Sequence, residues 1–312
     1  MNTGTTTRHT WEFGTDELPR LRLQAHYADI HVRHAADPGQ TTVTLTADGA
    51  VDLSEVETRT DGRDVSVVVP LLKAGEGSGF GFSFQLGGFT IGTGGSVHAR
   101  LDVLVPEGAD LELKVGGGDI VVEGRAGGLR ARTGGGDVRF DEAGDIVVHT
   151  GGGDIRAARA GQGSLDTGGG EISIDSLGEG RLHSGGGDVH VGAIGSGAIK
   201  TGGGDIHVGR TEGDVSVSTG GGDVRLDSCR GTTQVGTGAG DVIAHVAAGG
   251  LEVRTGAGDI MITVPDGIPV WQDLSSPLGE VVSRLGRRGE PADGQAHIEV
   301  TARTGTGDIQ LS

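Results

Sequence analysis

Thr150-Gly-Gly-Gly-Asp-Ile155 recurs unchanged at residues 201–206 and, with small changes, down most of the chain. The acidic member of successive copies is Asp119, Asp137, Asp154, Glu171, Asp188, Asp205, Asp223, Asp241 and Asp259, each 17 or 18 residues after the last, with a late copy at Asp308. A fixed short period marks a solenoid, in which no single coil can bury its apolar face alone and each stacks on its neighbours. The period predicts an all-β fold: a single-stranded β-solenoid, or β-helix, of 17–18-residue coils with a less regular N-terminal β region and capped ends.

Composition agrees with a slender interior. Aromatic residues make up 3% of the 312 and glycine occupies 64 positions, so the core must be filled by Ile, Val, Leu and Ala. The glycines follow no Gly-X-Y period, which excludes collagen, and the regular Ile/Val spacing argues against a disordered Gly-rich segment. A formal charge of −18 argues against nucleic acid as a partner, because phosphate binding relies on Lys and Arg. The one cysteine, Cys229, can form no internal disulfide and suits a reducing compartment. Residues 1–14 contain no apolar leader core, and no stretch approaches the ~20 apolar residues of a membrane span. A cytoplasmic location is the expectation.

Two domains are expected: an irregular β region over 1–105, with opening coils and an insertion at 73–96, and a repeat domain over 106–312, with a C-terminal cap at 264–312. In the first, residues 21–32 alternate apolar and polar, and Ala28-Asp-Ile-His-Val32 looks like a worn copy of the later motif, hence an opening coil. Residues 41–46 and 64–69 read as strands by β-branched content, with Asp61-Gly62 as a turn. The insertion carries Phe80, Phe82, Phe84, Leu86 and Phe89; alternation in a strand would put Phe80, Phe82, Phe84 and Leu86 on one face. That face suits either a cap over an open edge of the stack or a patch for a protein partner or membrane surface. Residues 97–105 are a further strand.

Each later coil holds two short strands. One begins at Asp-Ile-x-Val; the other ends at the Thr before the glycines, as at residues 129–133, 146–150, 215–219 and 251–255. Alternation predicts inward pairs Ile120/Val122, Val138/Phe140, Ile172/Ile174, Val189/Val191, Ile206/Val208, Val224/Leu226 and Ile260/Ile262. After Asp259 the spacing loosens: residues 278–281 read as a degenerate coil, Trp271 as packing at that end, and residues 297–309 as the closing coil.

The three glycines are expected to turn the chain with positive φ and to stack without Cβ clashes, and the preceding Thr to pair with the Thr of the next coil. The acids form a column. Two carboxylates about 4.8 Å apart repel by about 0.9 kcal/mol in water and roughly 3.5 kcal/mol at an effective dielectric of 20, so something must compensate. One compensation is hydrogen bonding from the Gly N–H groups of the turn, helped by the outward column Arg139, Arg156, His190, His207 and Arg225. A second is a calcium ladder on Asp137, Asp154, Glu171, Asp188, Asp205 and Asp223; the match to calcium-binding rolls is poor, because Asp here follows Gly directly and one turn per coil carries the motif. A third is recognition of a cationic ligand.

No constellation selects a reaction. His190 and His207 occupy equivalent positions of adjacent coils and could hold a metal as a pair, but exposed strand histidines are the plainer reading. Cys229 falls in a loop, Asp227-Ser-Cys-Arg-Gly231, with no visible base. No Gly-Lys-Ser/Thr follows the glycines, so they form no phosphate loop. The six-residue apolar period of acyltransferase solenoids is absent. Carboxylates are abundant enough for a carbohydrate-acting enzyme on a β-helix, yet nothing singles out a pair.

Leu101-Asp-Val-Leu-Val-Pro-Glu-Gly-Ala-Asp-Leu-Glu-Leu113 runs into Val115-Gly-Gly-Gly-Asp-Ile120, and Ile262-Thr-Val-Pro-Asp-Gly267 precedes the closing Thr304-Gly-Thr-Gly-Asp-Ile309. With the intervening coils, this resembles the bacterial β-strand-repeat family of unknown function labelled putative adhesin, whose members are grouped as toastrack domains. The resemblance spans nearly the whole chain. It implies a β-solenoid often found with membrane-associated envelope-stress proteins, without agreed catalytic residues or cofactor. The leading expectation is a non-enzymatic scaffold for protein–protein contact or self-association; the alternatives are a calcium-dependent or surface adhesin and, more weakly, the carbohydrate-acting enzyme.

Overall fold

A computed structural model describes residues 6–35, 39–49, 51–72, 83–86, 89–92, 99–285 and 297–312. The fold is all-β, with no helix among these residues, and the chain divides into two compact units, Met1–Gly152 and Gly153–Ser312.

In the second unit, strands Ile155–Thr167, Ile172–Ser184 and Val189–Thr201 each make most of a coil as one continuous strand, and later coils split into two strands. Parallel pairing places each coil on the next in register: Ile172 against Val189, Val189 against Ile206, Ile206 against Val224. All fourteen inward residues anticipated from alternation are buried. Each is worth about 1.5–3 kcal/mol on burial. A further inward column, Ala160, Leu177, Ile194, Thr211, Cys229 and Val246, lines another side of the coil. Cys229 therefore lies at the end of strand Val224–Cys229, facing inward, and not in a loop.

Coil order departs from chain order in both units. In the first, the strand Arg20–His34 pairs on one side with Asp64–Val69 and Ala99–Val105, and on the other with Asp110–Gly117 and Ile120–Thr133. The coil made by 64–69 and 99–105 thus lies outside the coil at 20–34, which is not the outermost one. Outside it again are antiparallel strands: Gln40–Asp48 against 99–105, Thr6–Gly14 against Gln40–Asp48, and Glu57–Asp61 in a hairpin with Asp64–Val69. The hairpin turns at Gly62, whose φ of 58° is why glycine stands there. Ser83–Leu86 and Phe89–Gly92 pair with one another in a separate two-stranded sheet, while Phe80 and Phe82 lie outside the described residues.

In the second unit, Ile298–Thr304 and Ile309–Leu311 slot directly against Gly250–Thr255 and Ile260–Thr263. The earlier segment, strands Val270–Ser275 and Val281–Ser283, is left as the outermost coil. Trp271 stands opposite exposed Glu299 on the outward face of its strand, is 58% exposed and does not pack as expected.

Candidate functional site

The acid column is built into the backbone ladder. In the second unit, Oδ1 of Asp154, Asp188, Asp205, Asp223, Asp241 and Asp259 accepts the backbone N–H of the acidic residue one coil on, at 2.8–2.9 Å. Asp308 accepts from Glu280 N–H at 2.7 Å. In the first unit Asp29 and Asp119 do the same for Asp119 and Asp137, which makes residues 28–32 a true copy of the coil. Charge-assisted bonds of this kind offset the repulsion between carboxylates. The donors are not the Gly N–H groups of the turn, contrary to expectation. Glu171, one methylene longer, accepts no such bond from Asp188 N–H among the described contacts; its carboxylate lies 3.7 Å from His190 Nδ1 and 4.0 Å from Arg156.

The Gly N–H groups turn to the threonine. Thr201 Oγ1 donates to Gly187 O of the preceding coil at 2.8 Å and accepts from Gly204 N–H at 3.3 Å; Thr167, Thr219 and Thr237 repeat the pattern, and Ser184 does so with its own hydroxyl. The column is thus Thr to backbone, not Thr to Thr. Of the motif glycines only Gly118 and Gly258 have left-handed φ. Contact is the general requirement: a Cβ on Gly202 or Gly204 would lie 2.1 or 2.3 Å from a carbonyl oxygen of the preceding coil, whereas one on Gly203 would meet nothing within 4 Å. Ala239, Ala257 and Thr306 occupy that middle position in later copies, so its tolerance of a side chain is written in the sequence.

The outward cations are divided among different acids. Arg156 pairs with Asp154 at 2.9 Å, as anticipated, but His207 Nε2 and Arg225 Nε both reach Asp227, each at 2.8 Å. The His207 hydrogen bond first, then Arg225, holds the Asp227 carboxyl below the usual aspartate range. His190 and His207 meet edge to face with ring centroids 6.0 Å apart, and no group of three or more potential ligands among the described residues is placed to hold a metal ion. Cys229 is fully buried, and burial pushes its thiol up to about 11, which leaves no thiolate for nucleophilic attack near neutral pH.

A concentrated polar site that sequence reasoning missed is in the first unit. On the outer face of strand Arg20–His34 and its neighbours, a depression of about 620 Å³ is lined by Asp29, His31, Arg100, Asp119, Glu123, Arg139 and Asp141 around Val121 and Val122. His31 Nε2 lies 2.7 Å from Glu123 Oε1, and Arg100 Nη2 lies 3.1 Å from His31 Nδ1. A guanidinium can only donate, so Nδ1 must accept, and the assigned tautomer carries its proton on Nε2 toward Glu123. Asp141 Oδ2 accepts Gly124 N–H at 2.8 Å. Arg139 makes no ion pair among the described residues. These residues are dispersed between positions 29 and 141, so no local motif announces them.

The profile of the Toastrack DUF4097 family matches residues 18–312. The chain belongs to that family. Among solved structures, this toastrack chain is similar to a putative adhesin from Parabacteroides distasonis, with 12% identity, 99% of this chain and 98% of that one covered, and a TM-score of 0.35. It is also similar to a putative lipid binding protein from the same organism, at 11% identity, 99% and 98% coverage and TM-score 0.35. A putative cell adhesion protein from Clostridium sporogenes gives 11%, 98% and 99%, with TM-score 0.20. No curated protein matches the chain. The toastrack assignment fixes the coil architecture; the His31 depression is argued from this chain's own residues.

Proposed function

We propose that the chain is a non-enzymatic β-solenoid interaction module, acting in the cytoplasm in connection with envelope stress, that binds a protein partner at the His31 depression. One observation carries this reading: each carboxylate of the depression has one oxygen held as an acceptor inside the fold. Asp29 and Asp119 each hold a backbone N–H, Asp141 holds Gly124 N–H, and Glu123 holds His31. A general acid or base needs a group free to exchange its proton with substrate, and fixed acceptors favour recognition instead. Arg139 adds an unmatched guanidinium, suited to an acidic side chain on the partner.

Affinity capture with purified wild-type protein, Arg139→Glu and a deletion of 76–92 tests the reading. Expected is a partner held by the wild type and lost with Arg139→Glu at unchanged melting temperature. Equal capture by that variant would reject the depression as the binding face, and loss on the deletion alone would shift the contact to the Phe-rich insertion. Addition of calcium is expected to leave melting unchanged; a calcium-dependent rise, or recovery of the protein only outside the cell, would favour the adhesin reading.

A further inference from the structure

The chain carries −18, yet one outward face of the first unit gathers cations. Where strands Arg20–His34, Asp110–Gly117 and Ile120–Thr133 lie side by side, Lys114 stands in register with Arg132, and Arg130 lies two residues before Arg132 on the same strand. Strand geometry puts the backbone positions of Arg130 and Arg132 about 7 Å apart and that of Lys114 about 5 Å from Arg132. All three side chains are exposed, and none makes a hydrogen bond or ion pair among the described residues. Other cations of the unit find acids: Arg22 pairs with Glu112 at 3.1 Å, Arg63 with Asp110 at 3.3 Å and Arg100 with Asp102 at 3.2 Å. Like charges facing each other across a strand pair are destabilising. The free protein therefore holds Lys114, Arg130 and Arg132 together with no internal anion to relieve them.

We infer that this face binds an extended acidic peptide of a second protein, one with two carboxylates two residues apart. An extended chain repeats its side chains every second residue at about the 7 Å that separates Arg130 from Arg132, so a peptide laid along residues 129–133 presents one acid to each. A guanidinium donates to a carboxylate through two parallel bonds, and Lys114 adds donors beside the acid at Arg132. The borders of the patch set the length of the ligand. At one end Asp145 stands in register with Gly128, whose N–H is accepted by Asp110; at the other, past the glycines, come Asp119 and Asp137. A longer polyanion, whether nucleic acid or an anionic membrane, would meet these acids, whereas a pair of carboxylates fits between them. No stretch outside the described residues has two acids two positions apart, so those segments do not supply the peptide. The inference is independent of the His31 depression and uses none of its lining residues.

Fluorescence anisotropy at low salt tests it, with the full chain and a labelled peptide of Ser and Thr carrying a central Glu-Thr-Glu. Expected is binding that weakens at least about tenfold for Arg130→Ala combined with Arg132→Ala, at unchanged melting temperature, and that Arg59→Ala, an exposed cation paired with Asp61, leaves alone. Placing the two Glu next to each other should also cost about tenfold, because adjacent side chains of an extended peptide point to opposite faces. The Arg132→Glu variant should in turn prefer a peptide in which one Glu is replaced by Lys. No binding by the wild type, equal binding by the double variant, or equal affinity for the adjacent-Glu peptide would each overturn the inference. So would tighter binding of a DNA duplex or of phosphatidylserine vesicles, and so would self-association that the double variant abolishes, which would give the face to a second copy.

Discussion

At the scale of single residues, the motif Thr-Gly-Gly-Gly-Asp works as a set of contacts between coils. The hydroxyl and the carboxylate each reach a backbone group of a neighbouring coil, and the first and third glycines let that backbone come close. Thr201→Val keeps the volume but strands Gly187 C=O and Gly204 N–H in a buried site; a loss of about 1–3 kcal/mol is expected by denaturant unfolding, with Thr201→Ser near wild type. Ser184 already shows that a hydroxyl suffices. Gly204→Ala should cost about 1–3 kcal/mol through the forced shift of coil against coil, and Gly203→Ala almost nothing. Equal losses at 203 and 204 would mean that the glycines serve backbone conformation after all.

At the scale of the strand, alternation decides which side of the coil a residue serves. Ile206→Lys would bury a charge in the aliphatic column, and a loss above about 4 kcal/mol or outright failure to fold is expected. His207→Lys, next in sequence but facing outward beside Asp227, should stay within about 0.5 kcal/mol of wild type in the same assay. Asp227 also gives the strand a pH signature. Its carboxyl titrates below the ordinary 3.8, so it adds stability above that value, and the addition is lost as pH falls through the lower folded value. Melting temperatures from neutral to strongly acid pH should therefore fall less steeply below about 4 for Asp227→Asn than for wild type. The inward positions were legible because strand alternation is a local property, and the same alternation allows the Arg225–Asp227 pair two residues apart on one strand; the partner of His207 was not legible, since Asp227 reaches it from the next coil.

At the scale of the whole molecule, the ends of the fold are threaded out of sequence. Because 298–311 lies between 250–263 and 270–283, deleting residues 297–312 removes an interior coil of the second unit. Limited proteolysis is expected to cut such a truncation within 270–283 while sparing 155–255; resistance of 270–283 would show that it can pair directly with 250–263. Trp271, anticipated as packing, is exposed because alternation puts it opposite Glu299 on the outward face of its strand. The sequence by itself determined the period, the inward columns and the toastrack architecture, because all three arise from short-range alternation and from a motif that every coil must repeat. The tertiary structure alone decided which coil lies beside which at the ends, where each acid finds its donor, and that residues from 29 to 141 converge around His31. Those outcomes depend on pairing between distant strands, and a strand edge accepts any partner of matching register, so no local pattern records the choice.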